Sequence, residues 1–383
     1  MKIHFLFILS AAAHDILSIT FIMIIGIEKR IIVTFYQELQ LNQAGSKQLL
    51  KSSKTPQERR RHLAVYLFKV VLTLLFCVAF VGVFSSLFGE DNAIAGVVSL
   101  LFVLVFRQAG LGVRPSHGVL SLLLIFGVLI VSPHLANLLP PFGSFLVHLL
   151  SLFFVICIGC HDVRMSNQST IVLCYLLLYG YDVSGQTFAM RAIGLACTGL
   201  LTALIYYRNQ RKSDCSIGLL QAIKEFHLSS PRSRWQLQLT LSVSTAMLFS
   251  TLLGLPRSMW VGFAVLSVTQ FSTRDYLHRA KYRLSGMLGG SALFLIAYSL
   301  IPAQYHSLFG IFGGLCVGFS ATYGWQTTFN CLGALTTAAG LMGAPKAIFY
   351  RLLNTAFGVT YAFLFRALFQ KLLHRLHPAD TNK

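Results

Sequence analysis

Three basic side chains lie within long apolar segments or at their ends, where a charge is costly. Lys69, Arg191 and Arg351 are each flanked by hydrophobic residues. A charged group at membrane depth costs a few kcal/mol unless it is paired or hydrated, so each could neutralise an anion that crosses the membrane. The alternative for Lys69 is that its long side chain reaches back to the cytoplasmic interface. The alternative for the two arginines is anchoring or helix capping at the outer interface.

A later apolar segment, residues 325–342, carries an unusual number of polar side chains. Thr327 and Asn330 lie near its start, in the sequence QTTFNC. Such residues in a membrane helix either hydrogen-bond to neighbouring helices or line a hydrated substrate path. Trp260 and Trp325 could stack on an aromatic substrate, although aromatic residues also gather at membrane interfaces.

The sequence contains no motif typical of an enzyme or of an ATP-driven pump. It has no G-x-S-x-G, H-E-x-x-H or P-loop pattern. Cys157 and Cys160 form a C-x-x-C pair, but this pair lies inside an apolar segment and no second pair accompanies it, so no metal or redox cofactor is expected. We therefore expect a process driven by a gradient. His148 and Asp182 are the candidates for proton coupling in the first half, although water could solvate Asp182 near its loop.

The composition indicates that these residues belong to a membrane protein. The chain has 383 residues, of which 55% are hydrophobic and 11% are charged, and its mean hydropathy is +0.68. A soluble domain averages roughly 25% charged residues, so a soluble protein of this length could not cover its surface. The 31 Lys and Arg residues against 12 Asp and Glu give a net charge of +19. This excess is typical of cytoplasmic loops in multi-span proteins, and no nucleic-acid-binding motif is present.

Twelve apolar segments are predicted to form membrane helices. They span residues 63–88, 92–106, 117–133, 142–160, 170–183, 186–207, 235–254, 258–272, 284–301, 306–323, 325–342 and 350–370. The sequence therefore predicts an all-α polytopic membrane protein. Lys and Arg are concentrated in alternate loops, among them 28–62, 208–234 and 273–283, which places residue 63 and the C-terminus in the cytoplasm.

The predicted helices divide into two sets of six, which suggests an internal repeat. The two membrane halves are residues 63–207 and 235–370. Arg191 and Arg351 occupy matching places, because each follows a glycine by eleven residues. Since six is an even number, the two halves are predicted to share one orientation and to be related by an axis along the membrane normal.

The remaining segments are predicted to lie on the cytoplasmic side. Residues 33–62 are an amphipathic segment, 208–234 a basic loop and 371–383 a tail. The pattern Thr55-Pro56-Gln57-Glu58 predicts a helix start with a capping box, in which the threonine and glutamate satisfy each other's backbone N–H groups. Ser230-Pro231 predicts the corresponding helix start in the second half.

Residues 1–32 have three interpretations. Lys2, a short apolar run and Ala11-Ala12-Ala13 resemble a signal peptide. The apolar stretch could instead be a thirteenth span. The segment could also precede the true start, because Glu28-Lys29-Arg30 would be encoded by purine-rich codons that resemble a ribosome-binding site ahead of a start near Val33. The last interpretation is favoured.

The sequence Arg283-Leu-Ser-Gly286-Met287-Leu-Gly289-Gly290 stands out in the second half. It resembles the R-x-x-G-T-x-x-G signature of the fusaric acid resistance protein-like family, also called aromatic acid exporters, with Met287 where the family usually has threonine. The segment 351–358 is similar to the second Arg/Gly segment of that family. By its pattern of spans, the resemblance extends over residues 55–375.

The resemblance implies a multi-pass protein of the bacterial inner membrane that exports small organic anions such as aromatic carboxylates. At residue level it carries over to Arg283, Gly286 and Gly289 only. Basic residues along a path would neutralise a carboxylate that is costly to place in hydrocarbon. The predicted substrate contacts are therefore Lys69, Arg191, Arg283, Arg351, Thr327 and Asn330. Many relatives carry soluble domains after each membrane half, and the 208–234 loop is too short for one.

Two other functions stay open at this point. One is a passive organic-anion channel, which would need no coupling carboxylates. The other is a membrane scaffold protein that transports nothing. The expected partners are a small organic anion and, at the basic cytoplasmic face, anionic lipids. Faces of small residues could also support a homo-oligomer, and no nucleic-acid partner is expected.

Overall fold

A computed structural model describes residues 29–41, 43–213 and 215–376. Within these residues the regular structure consists of fifteen α-helices and three short 3-10 turns, without any strand. The all-α prediction is therefore confirmed for this part of the chain. The three interpretations of residues 1–32 concern a segment of which residues 1–28 lie outside the described residues. The end of the predicted tail, from residue 377, also lies outside them.

The helices follow the predicted segments closely. They are α1 Lys29–Gln40, α2 Gln43–Ser52, α3 Pro56–Phe88, α4 Ala93–Phe106, α5 Pro115–Leu138, α6 Pro141–Gly159, α7 Gln168–Gly180, α8 Gly185–Gln210, α9 Leu219–Lys224, α10 Pro231–Leu252, α11 Met259–Val268, α12 Thr273–Leu300, α13 Leu308–Gly318, α14 Tyr323–Met342 and α15 Ala344–Leu376. Each of the twelve predicted segments overlaps one helix between α3 and α15.

Within the described part of the chain, six stretches are both long and apolar enough to cross a membrane. They are α3, α5, α6, α8, residues Tyr276–Leu300 of α12 and Ala344–Arg375 of α15. Three shorter apolar helices, α7, α11 and α13, accompany them. These helices indicate a multi-pass membrane protein. A count of twelve full crossings stays a prediction, because a ten-residue helix such as α11 rises only about 15 Å, against about 30 Å of hydrocarbon.

The helix start predicted at Thr55 has the geometry of a capping box. The backbone N–H of Glu58 donates to Oγ1 of Thr55 at 3.2 Å, and the N–H of Thr55 donates to Oε2 of Glu58 at 3.3 Å. This reciprocal pair satisfies donors that the first turn of a helix leaves without partners. The second predicted start is also correct, because α10 begins at Pro231 with Ser230 as its N-cap residue.

The described residues from Lys29 to Thr73 belong to a compact unit of their own. In this unit the Lys69 ammonium group donates to the carbonyl oxygen of Leu41 at 2.9 Å and to the hydroxyl of Ser46. Glu38 is buried and lies 3.0 Å from the imidazole of His62. The predicted amphipathic segment is thus helical, and Lys69 is held by backbone and side-chain oxygens of that segment.

The residues from Leu74 onward form the second compact unit. Helix α10 packs against α6, and α11 packs against α7, so the two sets of helices are joined directly. Within the later set, α12 packs along α14 and α11 packs along α15. Large apolar side chains on the outside, such as Leu150, Leu300 and Leu364, are 68%, 78% and 67% exposed. A surface of this kind suits contact with lipid.

Candidate functional site

Arg351 is the most unusual charged residue of the second unit. It lies two turns into α15 and is only 6% exposed. Its guanidinium carbon lies 4.9 Å from the ring centroid of Trp260, which is itself buried on α11. The Nε and Nη1 atoms are buried without a hydrogen-bond partner. A buried cation with unpartnered donors is costly, so Arg351 is a candidate anion-binding residue.

A second guanidinium lies near the first. Arg283 on α12 interacts electrostatically with Arg351, and its own Nε is buried without a hydrogen-bond partner. Two like charges in a low-dielectric interior repel, and an anion between them would relieve that repulsion. The thiol of Cys331 on α14 is a hydrogen-bond partner of the Arg351 side chain and also lies within electrostatic reach of Arg283. Its sulfur contacts the sulfur of Met287 at 3.3 Å.

Arg279 and Tyr323 extend this arrangement toward the start of α12. The Arg279 guanidinium carbon lies 4.9 Å from the Tyr323 ring centroid. The Tyr323 hydroxyl is buried without a hydrogen-bond partner. Since Arg279 precedes Arg283 by four residues, one face of α12 presents two cations in succession. This face leads from the predicted cytoplasmic end of α12 to Arg351.

Glycines bring α12 and α14 close enough to form the site. A Cβ atom on Gly286 would lie 2.9 Å from the carbonyl oxygen of Gly324 and 2.9 Å from Cβ of Thr327. A Cβ on Gly290 would lie 2.5 Å from the carbonyl oxygen of Thr328. Small residues of this kind allow membrane helices to pack backbone to backbone. Gly289, by contrast, has no neighbour closer than 4.0 Å.

We therefore expect Gly290→Ala and Gly289→Ala to differ sharply. The first substitution forces a methyl group against the α14 backbone and should cost about 1–3 kcal/mol of unfolding free energy. The second should change stability by no more than about 0.5 kcal/mol, because the space is open and alanine favours a helix. Thermal unfolding of both variants in one detergent measures the difference. Equal unfolding temperatures of the two variants would contradict the close backbone contact between α12 and α14 at Gly290.

Arg191 has a different environment from Arg351 despite its matching place in the sequence. It is 4% exposed, and its Nε donates to Oδ1 of Asn92 at 2.9 Å. Its Nη1 donates to the carbonyl oxygen of Tyr181 at 2.7 Å, and Nη2 donates to that of Asp91 at 3.4 Å. Arg191 therefore ties α8 to the loops before α4 and α8, and its donors are already occupied by the protein.

Asn354 makes the connection to a loop in this half of the chain. One turn after Arg351 on α15, its Nδ2 donates to the carbonyl oxygen of Pro256 at 2.7 Å and to that of Arg257 at 3.4 Å. The asparagine thus holds the loop between α10 and α11 to α15. In contrast to Arg191, Arg351 keeps Nε and Nη1 without a hydrogen-bond partner.

The comparison with known protein families finds a match in the second half of the chain, which contains Arg351 and Arg283. Residues 245–365 match the sequence model of the fusaric acid resistance protein-like family. This region of the chain is thus similar to the fusaric acid resistance protein-like family. The match includes Arg257, Trp260, Arg283, Cys331 and Arg351. No curated protein and no solved structure shows significant similarity to the chain.

The match confirms the family resemblance seen in the sequence. It covers about a third of the chain and supports a membrane transport-type protein, which is consistent with a non-enzymatic role. The guanidinium atoms of Arg283 and Arg351 that have no hydrogen-bond partner, and the unpaired Tyr323 hydroxyl, all lie inside the matched region. Arg191 and its complete set of partners lie outside it.

The other predicted contacts are placed less centrally. Thr327 is buried against Gly286 in the matched region, and its hydroxyl donates to the carbonyl oxygen of Tyr323 at 2.9 Å within α14. Asn330 lies on an exposed face of α14, and Lys69 belongs to the separate first unit. Of the predicted contacts, Arg283 and Arg351 thus lie within electrostatic reach of each other, and Thr327 lies against Gly286, which is on the same helix as Arg283.

The candidates for proton coupling are paired inside the first half. His148 is buried, and its Nδ1 lies 2.9 Å from the Tyr175 hydroxyl. Asp182 lies 3.0 Å from Nδ1 of His134, so its carboxylate has a partner as well as access to water. Sequence reasoning missed His134, because it lies on α5, 48 positions before Asp182, which lies in the loop between α7 and α8.

Sequence reasoning also missed Cys331 and Asn354 as neighbours of Arg351. An amide at membrane depth, three residues from a buried arginine, was a signal for Asn354. Cys331 gave no such signal, because a cysteine in an apolar helix reads as an ordinary small hydrophobic residue.

Proposed function

We propose that the protein is a membrane transporter that exports small organic anions of the aromatic carboxylate type across a bacterial inner membrane. The observation that carries the proposal is the buried guanidinium of Arg351, which stacks on Trp260 and keeps Nε and Nη1 free. Guanidinium N–H groups donate charged hydrogen bonds to anions, and a carboxylate offers two oxygens that accept them.

The neighbours of Arg351 support a substrate that is both anionic and apolar. Arg283 adds a second positive charge, whereas Trp260 and Met287 supply an aromatic and a soft apolar surface. Aromatic rings and methionine sulfur make favourable contacts with apolar or aromatic groups. An aromatic carboxylate satisfies both kinds of neighbour, while a small inorganic anion would satisfy only the charges.

The direction of transport is part of the proposal. The α12 face with Arg279 and Arg283 begins near the end of the helix that the distribution of Lys and Arg predicts to be cytoplasmic. Cations at that end would draw anions in from the cytoplasm. We further propose that a gradient drives export, that the two sets of six helices are parallel repeats, and that the exposed basic residues of 208–234 contact anionic lipids. The chain could act as a homo-oligomer, which the proposal does not require.

Flux in proteoliposomes tests the proposal. Purified protein is given a panel of aromatic and aliphatic carboxylates, with and without an imposed pH gradient. Saturable flux of one class, increased by the gradient, is the expected result. Flux that rises linearly with concentration would instead establish a passive channel. No flux from folded protein would favour the scaffold function.

A binding measurement accompanies the flux assay. The chain has three tryptophans, so Trp235→Phe and Trp325→Phe leave Trp260 as the only fluorophore of that type. A carboxylate bound at Arg351 should change the fluorescence emission of Trp260, because the indole ring of Trp260 contacts the Arg351 guanidinium. A saturable emission change with the transported anions, and none with neutral amides of the same shape, is the expected result.

A further inference from the structure

A second cationic group lies at the other end of this site. The cavity that it borders has a volume of about 190 Å³ and is lined by Asn137, Tyr179, Gly180, Arg257, Ser258 and Met259. It lies between the C-terminal end of α7 and the N-terminal end of α11. According to the predicted orientation, both ends face the exterior. The positive end of the α11 dipole and the Arg257 guanidinium therefore border the same opening.

Arg257 is held in an unusual conformation. Its φ angle is 60°, and among the described residues only Ser166 is another non-glycine residue with a positive φ. A bulky residue in this region of φ costs of order 1 kcal/mol or more, and such strain tends to persist at functional sites. Glycine would adopt this conformation without that cost. The backbone conformation alone would favour glycine at position 257, yet the chain has an arginine there.

The contacts of Arg257 leave part of its guanidinium available. Nη1 donates to the carbonyl oxygen of Gly180 at 2.9 Å, which satisfies the end of α7. The guanidinium carbon lies 5.1 Å from the centroid of the Tyr181 ring. Arg257 is half-buried and borders the cavity, so its other donors can meet a ligand there.

Tyr181 connects this cavity to the site at Arg351. Its hydroxyl group interacts electrostatically with both Arg257 and Arg351. The loop that carries Arg257 is also fixed to α15 by Asn354, one turn from Arg351. An anion that leaves Arg351 toward the exterior would thus meet Tyr181 and then the next guanidinium.

We propose that the cavity at Arg257 is a second anion-binding site, which accepts the carboxylate of the substrate as it leaves Arg351 toward the exterior. This inference rests on the proposed function. The cavity is too small to enclose a large aromatic molecule, so it would hold the carboxylate group while the rest of the substrate lies outside. Two cationic sites in sequence let an anion pass without being fully desolvated between them.

Three variants test the second site. Arg257→Gln removes the charge but keeps an N–H donor that can reach the Gly180 carbonyl. Arg257→Lys keeps the charge. Lys346→Gln is the matched control, because it removes one exposed basic residue from the same predicted side of the membrane. Thermal unfolding in detergent establishes that each variant is folded.

Flux is then measured from each side, in right-side-out and inside-out membrane vesicles, with benzoate as the probe. For Arg257→Gln we expect the half-saturation concentration on the exterior side to rise about 10-fold, the loss expected for one charged hydrogen bond. The half-saturation concentration on the cytoplasmic side and the anion concentration that gives half of the Trp260 emission change should stay within about 2-fold of the wild type. Arg257→Lys should retain most of the exterior affinity, and Lys346→Gln should change neither side.

Two results would overturn this inference alone. One is wild-type flux together with an exterior half-saturation concentration that Arg257→Gln does not change. The other is an equal loss in Arg257→Lys and Arg257→Gln, which would show that Arg257 only closes the end of α7. If the wild type gives neither flux nor a Trp260 signal with any carboxylate, the proposed function itself fails, and the second site fails with it.

Discussion

Arg351→Met is expected to abolish anion binding while leaving the protein at least as stable as the wild type. The substitution removes both free donors, each able to make a charged hydrogen bond of about 1.5–3 kcal/mol. The dissociation constant of a carboxylate should therefore rise by at least about 100-fold. It also removes a buried cation without a full set of partners and its repulsion from Arg283. Replacing such a charge by an apolar chain of similar length is often stabilising.

Two measurements on one preparation decide this prediction. The Trp260 emission change reports binding, and thermal unfolding reports stability. Trp260→Phe, with Arg351 intact, is the control that removes the fluorescence signal but keeps the cation. A strongly destabilised Arg351→Met protein would show that the guanidinium has structural partners after all. A stable variant that still binds anions would remove Arg351 from the site.

Arg191→Met is expected to give the opposite result. This substitution leaves Oδ1 of Asn92 and the carbonyl oxygen of Tyr181 without their donor in a buried position. Buried acceptors without partners cost about 1–3 kcal/mol each, so the unfolding free energy should fall by roughly 3 kcal/mol or more. The half-saturation concentration for anions should stay within about 2-fold of the wild type, because no donor of the anion site is removed.

Arg191→Met and Arg351→Met form a matched pair, since the same chemical change is made at matching places in the sequence. Flux normalised to the amount of folded protein separates the two effects. Loss of affinity in Arg191→Met at unchanged stability would mean that both arginines contact the anion. That result would restore the symmetric site that the sequence alone predicted.

Local features of the fold could be predicted well from the sequence. The capping box at Thr55 and Glu58 depends on residues three positions apart, so pattern alone identifies it. The helices likewise follow from uninterrupted apolar runs bounded by Pro, Gly and charged residues. Apolar runs are less reliable for counting membrane crossings, because two of the predicted segments contain only the short helices α11 and α13.

The site could be predicted only in part, because its properties depend on distant partners. Arg191 and Arg351 look equivalent in the sequence, yet Arg191 is satisfied by Asn92, which lies 99 positions away. Arg351 keeps Nε and Nη1 unpartnered, and the loop 98 positions before Asn354 is held by that asparagine. Neither fact can be derived from spacing along one helix.

The glycine motif shows the same limit on a smaller scale. Gly286 and Gly289 were the residues that the family resemblance singled out, but the closest contacts occur at Gly286 and Gly290. Adjacent positions on a helix point about 100° apart. A motif therefore locates the helix that makes a contact, while the partner helix decides which glycine lies in the interface.

The backbone contact between α12 and α14 has a consequence for movement. Where two helices touch through Gly286, Gly290 and the carbonyl oxygens of Gly324 and Thr328, no side-chain layer can yield between them. Packed interfaces of this kind shift between discrete arrangements and do not deform gradually. The two helices should therefore travel as one rigid body, carrying Arg283 with them. A change in access is then expected at their boundary with α11 and α15, where Trp260 and Arg351 lie in contact.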